Sequence, residues 1–154
     1  MSSAIEAKIA ELGHALPVVP APIAAYVPAV VTGNLVFTSG QLPTVEGKLL
    51  AEGLVGRDVD IETAKACAQQ SGLNALAAVK SVIGDLDRVV RIVKVTGFIA
   101  CPSDFTQHSA VVNGASELFG EIFGDAAKHA RSSVGMAALP LGAPVEIEVV
   151  VEFR

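Results

Sequence analysis

Between Ala15 and Val45 the chain carries no Asp, Glu, Lys or Arg, yet prolines stand at positions 17, 20, 22 and 28. A helix cannot carry that many ring-blocked amides, and a bilayer would leave the freed carbonyls unsatisfied, so this apolar stretch does not cross a membrane. Each proline also pushes its predecessor toward extended backbone, which makes residues 17 to 28 an extended strap. The β-prone runs Val27–Val31 and Leu35–Ser39 follow, joined by Thr32-Gly33-Asn34, a connection with the chemistry of a tight hairpin turn. Thr44–Gly47 reads as a further turn and Leu49–Val55 as a third strand or its remnant.

The remaining segments switch between helical and strand periods. Ile5, Ile9 and Leu12 lie at helical spacing within residues 3 to 12, with Ser2 or Ser3 as cap and Gly13 as stop. Asp60 or Thr63 caps a helix over about 61 to 83, whose Ala64, Cys67, Ala68, Ala75, Val79 and Val82 form one face of small residues suited to close packing; Gly84-Asp85 ends it. Val89–Ala100 is β-branched and reads as a long strand. Asp104 is placed to cap a second helix carrying Phe105, Val112, Ala115, Phe119 and Ile122, with Gly120 and Gly124 near its end. Val145–Phe153 alternates apolar and acidic residues and makes a final strand. The order predicts an α+β fold in one domain spanning 1 to 154: two helices on one face of a mixed sheet, with residues 1 to 16 as a helical extension.

Composition narrows the function. With 154 residues and a net charge of −5, and no cluster of Lys or Arg, the chain lacks the footprint of a nucleic-acid binder. It is 51% hydrophobic and only 18% charged, with a mean hydropathy of +0.54, an apolar surplus that points to a partner subunit. Glu6 and Glu11 stand where an export signal would be basic and then apolar. Cys67 and Cys101 sit on unrelated segments, indicating neither a disulfide framework nor a zinc site and fitting a reducing cytoplasm. His14, His108 and His129 are too scattered to form a metal site by local spacing.

Arg131 stands in an apparent loop from Lys128 to Gly135. A planar guanidinium matches a carboxylate with two hydrogen bonds, which lysine does not, although from spacing alone a surface ion pair is the plainer reading of a lone arginine. Glu146 alternates with Glu148 and Glu152 and, taken alone, is an outward strand glutamate paired with a basic neighbour. Tyr26, the single tyrosine, reads as a surface or interface aromatic, and Ser39 as a strand-end hydroxyl bonded to backbone. No Gly-x-Ser-x-Gly elbow or paired histidine makes that serine a nucleophile.

Three ordered blocks change this reading. The string ARSSVGMAALPLGAPVEIE resembles the carboxy-terminal signature of the Rid family, also called YjgF or L-PSP. Tyr26, Gly33-Asn34 and Ser39-Gly40-Gln41-Leu42-Pro43 resemble its amino-terminal block in order and spacing, and Asp104-Phe105 followed by Val112-Asn113 resembles the helix between them. The resemblance runs from about residue 20 onward and implies a chorismate-mutase-like homotrimer with intersubunit clefts. In many members these clefts hydrolyse 2-imino or 2-enamino acids to 2-keto acids and ammonia without a cofactor. It implies that Arg131 grips the carboxylate of a small-molecule substrate and that Glu146 positions or activates the water. Tyr26, Ser39, Asn113 and Ser133 would line the same cleft.

The sequence departs from that pattern in places. Ser133 replaces a cysteine, Ala24-Ala25 replaces Gly-Pro, and His129 stands where a proline is common. These changes and the extra amino-terminal helix resemble a longer bacterial subgroup. Two other readings remain at this point: a trimer that binds small carboxylates or keto acids without turnover, and, against the acidic balance, the ribonuclease or translation-inhibitor role of the family's older reputation.

Overall fold

The computed structural model describes residues 3–19 and 25–154. Ser2, one of the two candidate caps, and residues 20 to 24 of the strap lie outside the described residues. Five strands form one sheet in the order β1 (Ala29–Thr32), β2 (Leu35–Thr38), β7 (Val145–Phe153), β5 (Val89–Ala100), β6 (Ala130–Met136). All neighbours run antiparallel except β5 and β6, which are parallel and are connected through helix α3 (His108–Phe123). A minor hairpin, β3 (Thr44–Val45) and β4 (Lys48–Leu49), turns through Glu46-Gly47.

Helices α2 (Ile61–Ile83) and α3 pack side by side on one face of the sheet, so the fold is the expected α+β arrangement. Alternation decides the faces. Val145, Ile147, Val149 and Val151 point into the core, together with Val95 and Ile99 of β5, while Glu146, Glu148 and Val150 point the other way. Small residues let the helices approach closely, since a Cβ on Gly114 would lie 2.0 Å from the Lys65 carbonyl oxygen. A Gly114→Ala variant is therefore expected to lose about 2–3 kcal/mol of stability, as overpacked cores do, read as a lower chemical-denaturation midpoint with an unchanged slope. A midpoint equal to the wild type would show that the helices separate freely.

The amino-terminal helix α1 (Ala4–Glu11) is capped twice over. Ser3 accepts from the Glu6 amide, and the Asp87 carboxylate accepts from the Ser3 hydroxyl and from the amides of Ala4 and Ile5 at 2.7–2.8 Å. Lys80 of α2 pairs with Glu6, and Ile9 is buried in the core.

Four expectations are corrected. Arg131 is not in a loop: residues Ala130–Met136 form an edge strand, because β5 supplies a parallel ladder that overrides the weak β propensity of Ala-Arg-Ser-Ser. Asp104 does not cap α3, which begins at His108. Phe105 is pinned over Gly56, where a Cβ would meet its ring at 2.8 Å, and its amide closes a turn onto the Pro102 carbonyl. Of Leu49–Val55, the expected third strand or its remnant, only Leu49 lies in a strand, β4, and none of the segment joins the five-stranded sheet. Gly53 has a φ of +114°, and the Asp58 carboxylate takes the Leu54 amide, so the chain curls into a turn that the Val55 amide stitches to Ala100. Val82 lies off the buried stripe of α2 and is 39% exposed.

Candidate active site

Arg131 is half-buried on β6 and its register partner on β5, Val95, is fully buried, so its side chain points to the helix face. There its Nη1 donates to Asn113 Oδ1 at 2.8 Å and to Ser116 Oγ at 3.1 Å. Asn113 and Ser116 are one turn apart on α3 and share a face. The Ser116 hydroxyl lies 2.9 Å from His129 Nε2, and His129 Nδ1 contacts the Ala127 carbonyl. Burial is the main reason the His129 pKa is lowered; the bond to Ala127 opposes this and the Arg131 charge adds to it.

Arg131 forms no ion pair with any carboxylate among the described residues, and its Nε and Nη2 have no partner among them. The surface ion pair that would explain a lone arginine is therefore not what this side chain makes. A cation braced by neutral oxygens keeps its charge for a ligand. Two residues further along the same face, the Ser133 hydroxyl is buried without a partner among the described residues, and a ligand oxygen would satisfy it.

Glu146 is half-buried on the opposite face of the sheet, between the inward Val145 and Ile147. It too forms no ion pair among the described residues. Burial pushes its carboxyl above the usual carboxylate range, and Glu148 on the same face adds to the shift. The Ser39-Gly40-Gln41 block reaches it through a bulge. Phe37 pairs with Val150 and Gln41 with Ile147, so β2 advances four residues while β7 advances three. The extra residue brings Gly40 against Glu146: a Cβ there would lie 2.0 Å from Glu146 Oε1.

Asn74 of α2 holds this block from behind, donating to the carbonyls of Leu42 and Thr44 at 2.9 and 3.0 Å. The Ser39 hydroxyl donates to the Val27 carbonyl at 2.6 Å, which leaves it only acceptor capacity toward a ligand. Tyr26 precedes Val27 in sequence and is 67% exposed.

The predicted site residues thus form two groups. Arg131, Asn113 and Ser133 cluster on the helix face at the β6 edge; Glu146, Gly40 and Ser39 gather two strands away, at the β2–β7 bulge, with Glu146 facing outward. Ser116 is a member of the first group that the sequence reading did not single out, and His129 one it noted only as a scattered histidine and as the replacement of a proline. The signal for Ser116 was its position three residues after Asn113 on a helix. Among the described residues no group of three His, Cys, Asp or Glu side chains could hold a metal ion. Cys67 and Cys101 are free and buried, and burial pushes the Cys67 thiol up to about 11, leaving it protonated at neutral pH. No helix among the described residues is long and apolar enough to cross a membrane.

Residues 6–153 match the family model described as "YjgF/chorismate mutase-like, putative endoribonuclease". The chain belongs to that family. It is 38% identical over 154 residues to Protein TCP17 of Trypanosoma cruzi, covering 99% of this chain and 96% of that one. It is 33% identical over 133 residues to the 2-iminobutanoate/2-iminopropanoate deaminase of Escherichia coli, covering 85% of this chain and 89% of the relative. The crystal structure of Atu1372 from Agrobacterium tumefaciens, a protein described as of unknown function, superposes with a TM-score of 0.90 at 44% identity, covering 97% of this chain and 93% of that one. Family membership accounts for the order of the motif blocks.

Proposed function

We propose that the protein is a cytoplasmic hydrolase that converts 2-imino or 2-enamino acids into 2-keto acids and ammonia, in clefts completed by further copies of the chain. The observation that carries this reading is the half-buried, braced Arg131 with no carboxylate partner among the described residues. A 2-imino acid supplies that carboxylate, and the E. coli relative bears the name of a deaminase for such substrates. The imine carbon is already electrophilic, so the site needs orientation, a water and a proton route more than covalent chemistry. Glu146 takes a proton from the water as its oxygen bonds to the imine carbon, and the nitrogen takes up a proton. The resulting aminoalcohol gives up its hydroxyl proton, which passes by way of Glu146 to the nitrogen, as the C–N bond breaks and the C=O bond forms, releasing ammonia and leaving the keto acid. A carboxyl held above its ordinary range is suited to taking and returning that proton.

Within one chain Arg131 and Glu146 sit two strands apart, about 10 Å by strand spacing alone, and on opposite faces of the sheet. A ligand of a few carbons held by Arg131 is out of reach of the same chain's Glu146, which supports a site shared between copies. The outward sheet face supports it too, since Val30, Phe37 and Val134 are 51, 41 and 41% exposed there. A homotrimer in which this face is covered brings the two groups into one cleft.

The test is release of keto acid by the purified protein from 2-imino acids generated in situ. No rate above spontaneous hydrolysis overturns the enzyme reading, and tight keto-acid binding without turnover leaves only a binding role. Because the base must be ionised, kcat/KM is expected to rise with pH through the raised Glu146 value, with its acid limb above the ordinary glutamate value of about 4.3. Glu148→Gln removes a like charge and moves that limb to lower pH; a limb that stays in place means another group titrates.

A further inference from the structure

The hydrogen bonds around Arg131 continue past the site into the scaffold, and their directions can be assigned. A carbonyl oxygen only accepts, so His129 Nδ1 carries the proton that meets Ala127. That leaves Nε2 of the neutral ring as an acceptor, and the Ser116 hydroxyl, 2.9 Å away, donates to it. With its single proton committed there, Ser116 Oγ presents only lone pairs to Arg131 Nη1 at 3.1 Å. Donors therefore run one way, from Arg131 to Ser116 to His129 to Ala127. Were His129 absent, the Ser116 proton could swing toward the guanidinium and set donor against donor.

The environment keeps the ring neutral. It is faced by Ser116 and the Phe119 ring from α3, with centroids 6.4 Å apart at 82°, by the Ala127 carbonyl from the turn before β6, and by the Arg131 cation from β6. The nearby charges are otherwise engaged: Lys128 pairs with Asp125 at the surface, and Glu117 of α3 pairs with Lys65. Glu121 of α3 is solvent-exposed, and Lys94 of β5 lies on the opposite face, where it donates to Ser132. The relay also has a consequence for the ligand. Asn113 and Ser116 together use both Nη1 hydrogens, so the guanidinium edge left for a two-pronged carboxylate is Nε with Nη2.

We propose that Ser116 and His129 are positioning residues that hold the Arg131 guanidinium preset, presenting its Nε–Nη2 edge to a substrate carboxylate. The proposal rests on the reading of Arg131 as the carboxylate anchor and adds the device that orients it. Presetting spares the ligand the cost of ordering a flexible arginine, so its loss weakens binding without touching the reacting atoms.

Calorimetric binding of 2-oxobutanoate, a stable 2-keto acid, tests this in the full-length protein. Ser116→Ala and His129→Leu are each expected to raise Kd about tenfold, the scale of one hydrogen bond to a charged group. Ser116→Thr keeps the hydroxyl and His129→Gln keeps an acceptor near Nε2, and both are expected to bind within about twofold of the wild type. Wild-type affinity in Ser116→Ala and His129→Leu overturns the proposal, and so does equal loss in all four variants, which marks a packing role. A second readout is independent of any substrate: NMR titration of His129 is expected to show its pKa rising in Arg131→Gln, because the Arg131 charge lowers it. If the wild type binds no keto acid, the reading of Arg131 as the carboxylate anchor fails, and the titration alone decides the relay; an unchanged His129 pKa in Arg131→Gln overturns it.

Discussion

Arg131→Ala is expected to lower kcat/KM for 2-imino acids about a thousandfold, the loss of two charge-assisted hydrogen bonds at about 2 kcal/mol each. Most of the loss should appear in KM. On the proposed reading the carboxylate is gripped equally in the ground state and the transition state, so its anchor contributes uniform binding, while the reacting carbon lies one atom away. Lysine at 131 restores a charge but neither the planar fork nor the brace to Asn113 and Ser116, and should recover only a small part of the affinity. The fold should tolerate these changes, because the side chain is half-exposed at an edge strand and no ion pair is broken. Steady-state kinetics with a thermal melt separates the cases. A variant that keeps wild-type KM would show that the carboxylate binds elsewhere.

Removing the base should act on kcat instead. Glu146→Gln is expected to cost a factor of about 10² to 10⁴ in kcat, the range of general-base catalysis, with KM little changed. The same substitution should raise the melting temperature at neutral pH. The folded-state pKa of Glu146 lies above the unfolded one, so its ionised form opposes folding at neutral pH. That cost shrinks as pH falls through the folded value and is gone below the unfolded value. Gly40→Ala should reproduce the kinetic loss with the carboxyl intact, because the added methyl would sit 2.0 Å from Glu146 Oε1 and 2.7 Å from its Cδ. The displaced carboxyl would no longer meet the water. If Glu146→Gln turns over at the wild-type rate, the proton is handled by another group and the role of the Gly40 contact falls with it.

The elements legible from local pattern were those whose period and punctuation agree. The helix over 61 to 83 is capped by Asp60, one of the two caps the pattern offered, and stops at Gly84, where the pattern put its end. Val89–Ala100 and Val145–Phe153 are strands with the expected bounds, since β-branched or alternating residues leave no competing period. Arg131 and Asn113 were legible as candidate site residues only through the order of the motif blocks, and the structure brings them within hydrogen-bonding distance. Ser116 and His129 were not legible, because nothing local says that a helix serine and a turn histidine thirteen positions apart will meet.

The opening stretch from Ala15 to Val45 shows where the division falls. Despite its lack of charge, its prolines excluded a membrane helix and gave residues 17 to 28 an expectation of extended backbone, since ring geometry and missing donors act on neighbouring residues alone. Pairing acts at a distance. Whether Ala130–Met136 was loop or strand depended on β5 arriving beside it, and whether Gly40 met Glu146 depended on one extra residue in β2 against β7. The faces were decided the same way: register sent Arg131 toward α3 and Glu146 to the far side of the sheet, because a strand's side chains alternate and the core can cover only one set. Local chemistry chose the elements and the residue types; long-range register chose which charges were left unpaired.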